Sequence, residues 1–215
     1  MFDNQHTPQA PARPTAVLQR RGAERVQAIL DAAEALLGEQ GYGAATLKAI
    51  GERAGIPTAS VYHYFADRHQ VDAELLQRHV RQLDECLTEA VNETTLRTLR
   101  DGVDAVVSPM LDYFRQHPSC AELWFSARHE KLAEIVQAFD ESKAEQFWNL
   151  LVEHELLDPE TPQLALKLAF EAGGRLFDVA FQHSPTGDDS TIEEARRLVT
   201  AYLETYAPQA EESDG

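Results

Sequence analysis

Between about residues 20 and 206 apolar side chains return every three or four positions, and no stretch alternates apolar and polar residues as a half-buried strand does. That period restricts the chain to packed helices and predicts an all-α fold of about nine of them. The first helix is expected over about 20–40, with Val26, Ile29, Leu30, Ala33, Leu36 and Leu37 on its apolar face. Two short helices follow over about 47–54 and 58–65. Gly55 between them gives the backbone the freedom for a sharp turn. Thr46 and Asp67 stand where caps belong for the second and fourth helices, and Pro57 suits the first position of the third. The fourth helix is expected over about 68–91, and others over about 95–116, with a break or kink near Pro109, 118–127, 129–157, 161–182 and 190–206.

The charge is unevenly placed. Residues 1–70 hold seven basic and seven acidic residues, so the whole formal net charge of -17 lies beyond residue 70. A surface for a polyanion can persist at the N-terminal end, while the acidic remainder is repelled and points away from it. No apolar run reaches the length of a membrane helix, and the first residues, MFDNQHTPQAPARPT, lack the order of a secretion signal. Cys86 and Cys120 have no metal-ligand spacing and read as free buried thiols in a reducing cytoplasm.

The segment IPTASVYHYF, residues 56–65, concentrates aromatic side chains. At about 100° per residue Val61 and Phe65 share one helical face, whereas Ala59 and His63 fall roughly opposite, flanked by Ser60 and Tyr62. The cluster therefore divides into a core pair and an outward strip, with Tyr64 at an edge. Two short helices joined by a tight turn and braced by a longer helix form a helix-turn-helix, whose second helix enters the DNA major groove.

At this point the chain resembles the tetracycline-repressor (TetR) family of transcriptional regulators. The resemblance covers about residues 20–76 and rests on the GY before the second helix, the AG turn, the SVYHYF run and the capped fourth helix, in the family's order and spacing. It implies that Thr46 meets a phosphate and that Lys48 reaches a base edge or the backbone. It places Thr58, Ala59, Ser60, Tyr62 and His63 toward the groove, with Tyr62, Tyr64 and Arg68 at phosphate-holding positions. Pro57 departs from the usual small polar cap, and Arg68 from the usual lysine. The chemistry agrees: Lys48 can bind guanine, hydroxyls accept several bases, and Ala59 can touch a thymine methyl. Arg13, Arg20 and Arg21 can add backbone or minor-groove contacts from an N-terminal arm.

The expected organisation is a disordered arm at 1–17, a helix-turn-helix domain at 18–66, a helical ligand-binding and dimerisation domain at 67–207, and a disordered tail at 208–215. In the segment 161–182 a single polar stripe, Lys167, Glu171, Arg175, Asp178 and Gln182, leaves the other sides apolar, so that helix must bury two of them. The resemblance makes the last two helices a homodimer interface, to which Gly173, Gly174, Phe177, Ala180, Leu198 and Tyr202 are assigned. Two recognition helices would then stand about 34–36 Å apart on a palindromic operator in double-stranded DNA. Met110, Tyr113, Trp124, Phe125, Phe147 and Phe170, with His129 as a polar anchor, are the candidate lining of a cavity for a small hydrophobic effector, which the resemblance implies. An effector that prefers a conformation with wrongly spaced reading heads lowers DNA affinity by the difference in its binding free energy, and the fourth helix is the expected lever. No cofactor or metal is expected. An enzyme is not expected either, since no phosphate loop, H-E-x-x-H, G-x-S-x-G or Glu-x-x-His spacing occurs. The alternatives are a DNA-binding regulator switched by a protein partner and, more distantly, a helical-bundle enzyme whose site residues are dispersed in the sequence.

Overall fold

The computed structural model of the chain describes residues 14–126 and 129–208. The expected arm as far as residue 13, Arg13 within it, and the expected tail from residue 209 lie outside the described residues. Nine α-helices occur among those described: α1 (Pro14–Gln40), α2 (Leu47–Ala54), α3 (Thr58–Tyr64), α4 (Arg68–Glu93), α5 (Leu99–Gln116), α6 (Pro118–Ala121), α7 (Glu130–Glu153), α8 (Gln163–His183) and α9 (Asp189–Glu204). A 3-10 turn (Tyr42–Ala44) links α1 to α2, and a π-helical turn (Glu122–Ser126) follows α6. The described residues contain no strand, as the helical period requires.

Local chemistry sets the boundaries at the N-terminal end. The Thr46 side chain accepts a hydrogen bond from the Ala49 amide, and Gly55 closes α2 in the left-handed conformation at φ 66°. Asp67 caps α4 by accepting from the Gln70 amide at 3.0 Å. Pro57 is the N-cap of α3 rather than its first residue, and it gives no side-chain cap. α1 begins at Pro14 and so includes residues 14–17 of the expected arm.

Two expectations for α5 need correction. It starts at Leu99 rather than near residue 95, because Thr98 and Asp101 form a reciprocal capping box. It also continues through Pro109 without a break. A proline removes one helical hydrogen bond, but packing on both sides of α5 holds the helix across the gap.

α1, α2 and α3 form a head, and α4 runs from it into a body in which it packs on α5 and α7. α8 lies along α9 and α7, and α9 packs on α5. One apolar cluster joins head to body through α4, with Ile29, Leu36, Ile50, Val61, Leu75, Leu83, Phe114 and Leu123 among its buried members. A second cluster, around Leu99, Phe147, Leu151, Leu166 and Leu203, fills the far end. Of the two thiols expected to be buried, Cys120 is, but Cys86 is exposed on α4. Among the described residues no helix is long and apolar enough to cross a membrane.

Candidate nucleic-acid interface and effector cavity

α3 owes its orientation to what it buries. Val61 is 0% exposed and Phe65 5%, and both belong to the core shared with α1 and α4. Gly51 on α2 lets the chain return this closely: a Cβ there would lie 2.9 Å from the Ile56 carbonyl oxygen and 3.2 Å from Val61 Cγ2. With that face fixed, Ala59, Tyr62 and His63 are exposed and Thr58, Ser60 and Tyr64 half-buried. Tyr62 is 56% exposed. His63 meets Tyr64 edge-on, with centroids 5.3 Å apart. At the start of α2, Thr46 and Lys48 are exposed, and Lys48 makes only a loose 3.8 Å pair with Glu52. Eight of the nine residues assigned to DNA therefore present accessible side chains.

Arg68 is the exception. Its guanidinium lies 3.6 Å from the centroid of the Tyr42 ring and pairs with Asp72 at 3.4 Å, and its Nη2 is buried without a hydrogen bond. Asp72 is buried and also accepts from the Tyr42 hydroxyl at 2.9 Å. Burial, then the Asp72 charge, pushes the Tyr42 pKa up to about 12, so the hydroxyl stays a donor. Arg68 thus fastens the start of α4 to the turn after α1 instead of reaching outward. The Arg68 to Asp72 spacing, one helical turn, was the available signal for this pair.

A second joint lies further along α4. Arg78 pairs with Asp31 and Glu34 of α1, each at 2.6 Å. Its neighbour His79 is fully buried, with Nδ1 2.9 Å from the Tyr113 hydroxyl and Nε2 3.2 Å from Ser119 Oγ. Burial above all, then the positive charges of His117 and Arg78, pushes the His79 pKa down to about 3, so the ring is neutral and one nitrogen donates while the other accepts. Tyr113 also donates to Gln82 and stacks on His117 at 4.3 Å. Tyr113 therefore belongs to the joint between head and body and lines neither cavity described below.

In the body, Met110, Phe147 and Phe170 line a narrow apolar cavity of about 60 Å³ together with Val103, Val106 and Phe177. A wider cleft of about 520 Å³, lined by Trp124, His129, Glu171 and Asp178 among others, opens beside it. Asp140, Phe170 and Gly174 border both. Burial and the neighbouring Glu171 push the Asp140 pKa up to about 7. Phe125 lies away from both spaces, stacked on Phe181 at 4.6 Å and packed edge-on against Phe114.

The assigned interface residues also divide. Phe177 and Ala180 are 3% and 0% exposed within a single chain, so a partner cannot reach them. Gly173 faces α9 of its own chain, where a Cβ would sit 3.5 Å from Val199, and Gly174 borders the cavities. Leu198 is 48% exposed and Tyr202 half-buried. Leu164 and Leu168, one turn apart on α8, are 61% and 50% exposed and were not singled out by their sequence, since period alone cannot tell which of two apolar sides stays open.

Comparison with known proteins matches this layout at both ends. A model described as "Bacterial regulatory proteins, tetR family" matches residues 29–74, and one described as "Tetracyclin repressor-like, C-terminal domain" matches residues 98–203. A solved structure of a TetR-family transcriptional regulator from Streptomyces coelicolor is 31% identical, with a TM-score of 0.64 over 86% of this chain and 98% of that one. The fatty acid degradation regulator FadR from Bacillus halodurans shares the fold at 19% identity, with a TM-score of 0.67 over 82% of this chain and 94% of that one. The HTH-type transcriptional regulator BetI of Vibrio atlanticus (strain LGP32) is 18% identical over 183 residues, which are 82% of this chain and 88% of that protein.

Proposed function

The chain belongs to the TetR family of DNA-binding transcriptional regulators, and from that premise we propose that it is a cytoplasmic repressor that binds a palindromic operator as a homodimer and is released by a small hydrophobic effector. The observation that carries this reading is the outward strip of α3. Tyr62 and His63 are exposed while Val61 and Phe65, on the same short helix, are buried, so a stiff helix is held with its polar-aromatic face toward the outside. Thr58, Ala59 and Ser60 at its N-terminal end face the bases, and Thr46, Tyr62 and Tyr64 hold phosphates. Lys48 reaches either. Arg68 acts instead as a brace for this surface.

Two recognition helices require two chains. Leu164, Leu168 and Leu198 supply an apolar surface on α8 and α9 that a second copy would cover, and these two helices pack extensively on each other in each chain. The effector enters through the cleft beside Trp124 and His129 and extends toward the apolar cavity at Met110, Phe147 and Phe170. The cavity is too narrow at about 60 Å³ for a ligand of ordinary size, so occupancy must move its walls. α5, α7, α8 and α9 form those walls, and of these α5 and α7 pack on α4, which carries the displacement to the head.

Selection of bound sequences from a random duplex pool, followed by footprinting, tests the reading. A protected palindrome with half-sites about one helical turn apart is the expected result. Loss of protection on adding an apolar small molecule supports release by an effector. Protection of a single half-site by a monomer refutes the dimer.

A further inference from the structure

We propose that His69, Asp72 and His129 form a binding site for a divalent transition-metal ion at the joint between the head and the body. One ligand atom from each residue lies within 4.8 Å of the other two. His129 Nε2 is 4.0 Å from Asp72 Oδ2, and the two imidazole rings have centroids 4.5 Å apart. His129 Nε2 is buried and makes no hydrogen bond among the described residues, although buried polar atoms are nearly always paired. A ring nitrogen left without a partner, beside a buried carboxylate and a second imidazole, suits an ion.

The surroundings resemble those of a ligating carboxylate. The Tyr42 hydroxyl donates to Asp72 Oδ2 and fixes the oxygen that faces His129, an outer contact of the kind that orients metal ligands. Two imidazoles and one carboxylate select zinc, cobalt, nickel or ferrous iron over magnesium or calcium. Three protein ligands leave a position for water. At metal-ligand distances of about 2.0–2.1 Å, tetrahedral ligand atoms stand roughly 3.3 Å apart, so the 4.0 Å His129–Asp72 pair must close by about 0.7 Å and the other pairs by at most about 1.5 Å. His69 is exposed and free to swing inward. Arg68 occupies the other oxygen of Asp72, so an ion would share that carboxylate with it and weaken their pair. His69 and Asp72 lie in the first turns of α4, immediately after the recognition helix, and His129 precedes α7. A bound ion would clamp those two elements together.

Glu34, His79 and His117 also cluster within 4.8 Å, but both nitrogens of His79 are already hydrogen-bonded, so whichever one bound an ion would have to give up its partner. That cluster is the control.

The test uses the full chain without an affinity tag, stripped by dialysis against a chelator. Zn2+ is titrated in competition with a chromophoric chelator, and Co2+ is followed by visible absorption. One ion per chain is expected. His69→Ala and His129→Ala should each weaken binding at least about tenfold and Tyr42→Phe by about tenfold, while His117→Ala leaves it unchanged. Circular dichroism of each variant verifies the fold. The proposal is overturned if the two histidine variants bind as the parent does, if His117→Ala loses the ion equally, or if a thiolate charge-transfer band places Co2+ on Cys86.

Discussion

Asp140 offers a quantitative test of the body's interior. Its carboxyl lies between the apolar cavity and the cleft, and burial together with Glu171 pushes its pKa up to about 7, against about 3.9 in an unfolded chain. Between those values the native state keeps a proton that the unfolded state has lost. Stability therefore falls as pH rises from about 4 toward 7, by up to about 1.4 kcal/mol per unit, or about 4 kcal/mol at most. Water at the cleft mouth screens part of this, which leaves about 2–4 kcal/mol. Asp140→Asn has the shape of the protonated acid and carries no charge. It should match the parent near pH 4 and exceed its stability by about 2–4 kcal/mol at pH 8. Urea unfolding of both proteins at one chain concentration, at several pH values, gives the difference directly. Parallel pH curves, or a variant less stable at pH 8, would show that Asp140 is not held in a low-dielectric site.

Other perturbations separate the parts of the molecule. His79 contributes in the opposite sense: its folded pKa of about 3 lies below the unfolded value, so stability should fall as pH drops below about 6.5, by up to 1.4 kcal/mol per unit, visible as an early acid transition. Gly51→Ala forces a Cβ to within 2.9 Å of the Ile56 carbonyl oxygen. It should cost about 1–3 kcal/mol in thermal unfolding and weaken DNA binding by misplacing α3. Asp104→Ala strips the buried Arg196 of its 2.5 Å partner but leaves Ser108 and Glu193 beside it. A loss of about 1–3 kcal/mol in denaturant unfolding is expected, and an unchanged midpoint would mean that water already serves the guanidinium. Leu164→Glu with Leu168→Glu places charge on the exposed α8 face and should yield a folded monomer in sedimentation.

How much of this was legible in the sequence depended on how local the determining contacts were. α2 and α3 could be placed because their cap, turn and buried pair, Thr46, Gly55, Val61 and Phe65, all lie within a few residues. Thr98 and Asp101 carried an equally local signal, a threonine three residues before an aspartate, masked by the helix-like apolar spacing that precedes it. The stacking of Arg68 on Tyr42 is not legible, because a basic residue at the edge of a DNA-reading helix has two uses, and its sequence does not show that the Tyr42 ring lies beneath it. His79, Tyr113 and Ser119 meet from three helices, and no sequence spacing announces such a contact. The effector residues divided between two cavities and the core for the same reason: period gives the side of a helix but not which neighbour covers it.

The most direct test is the DNA affinity of a chain with the outward face of α3 removed. Tyr62→Ala and His63→Ala together touch exposed side chains only, so thermal stability should change by less than about 0.5 kcal/mol and helical content not at all. On the selected duplex, anisotropy titrations should show affinity falling at least about tenfold. The parent's binding should also weaken steeply with salt, with a slope of about -0.9 for each phosphate held. A double variant that binds like the parent, or parent binding indifferent to salt, would contradict the claim that this strip of α3 is what meets DNA.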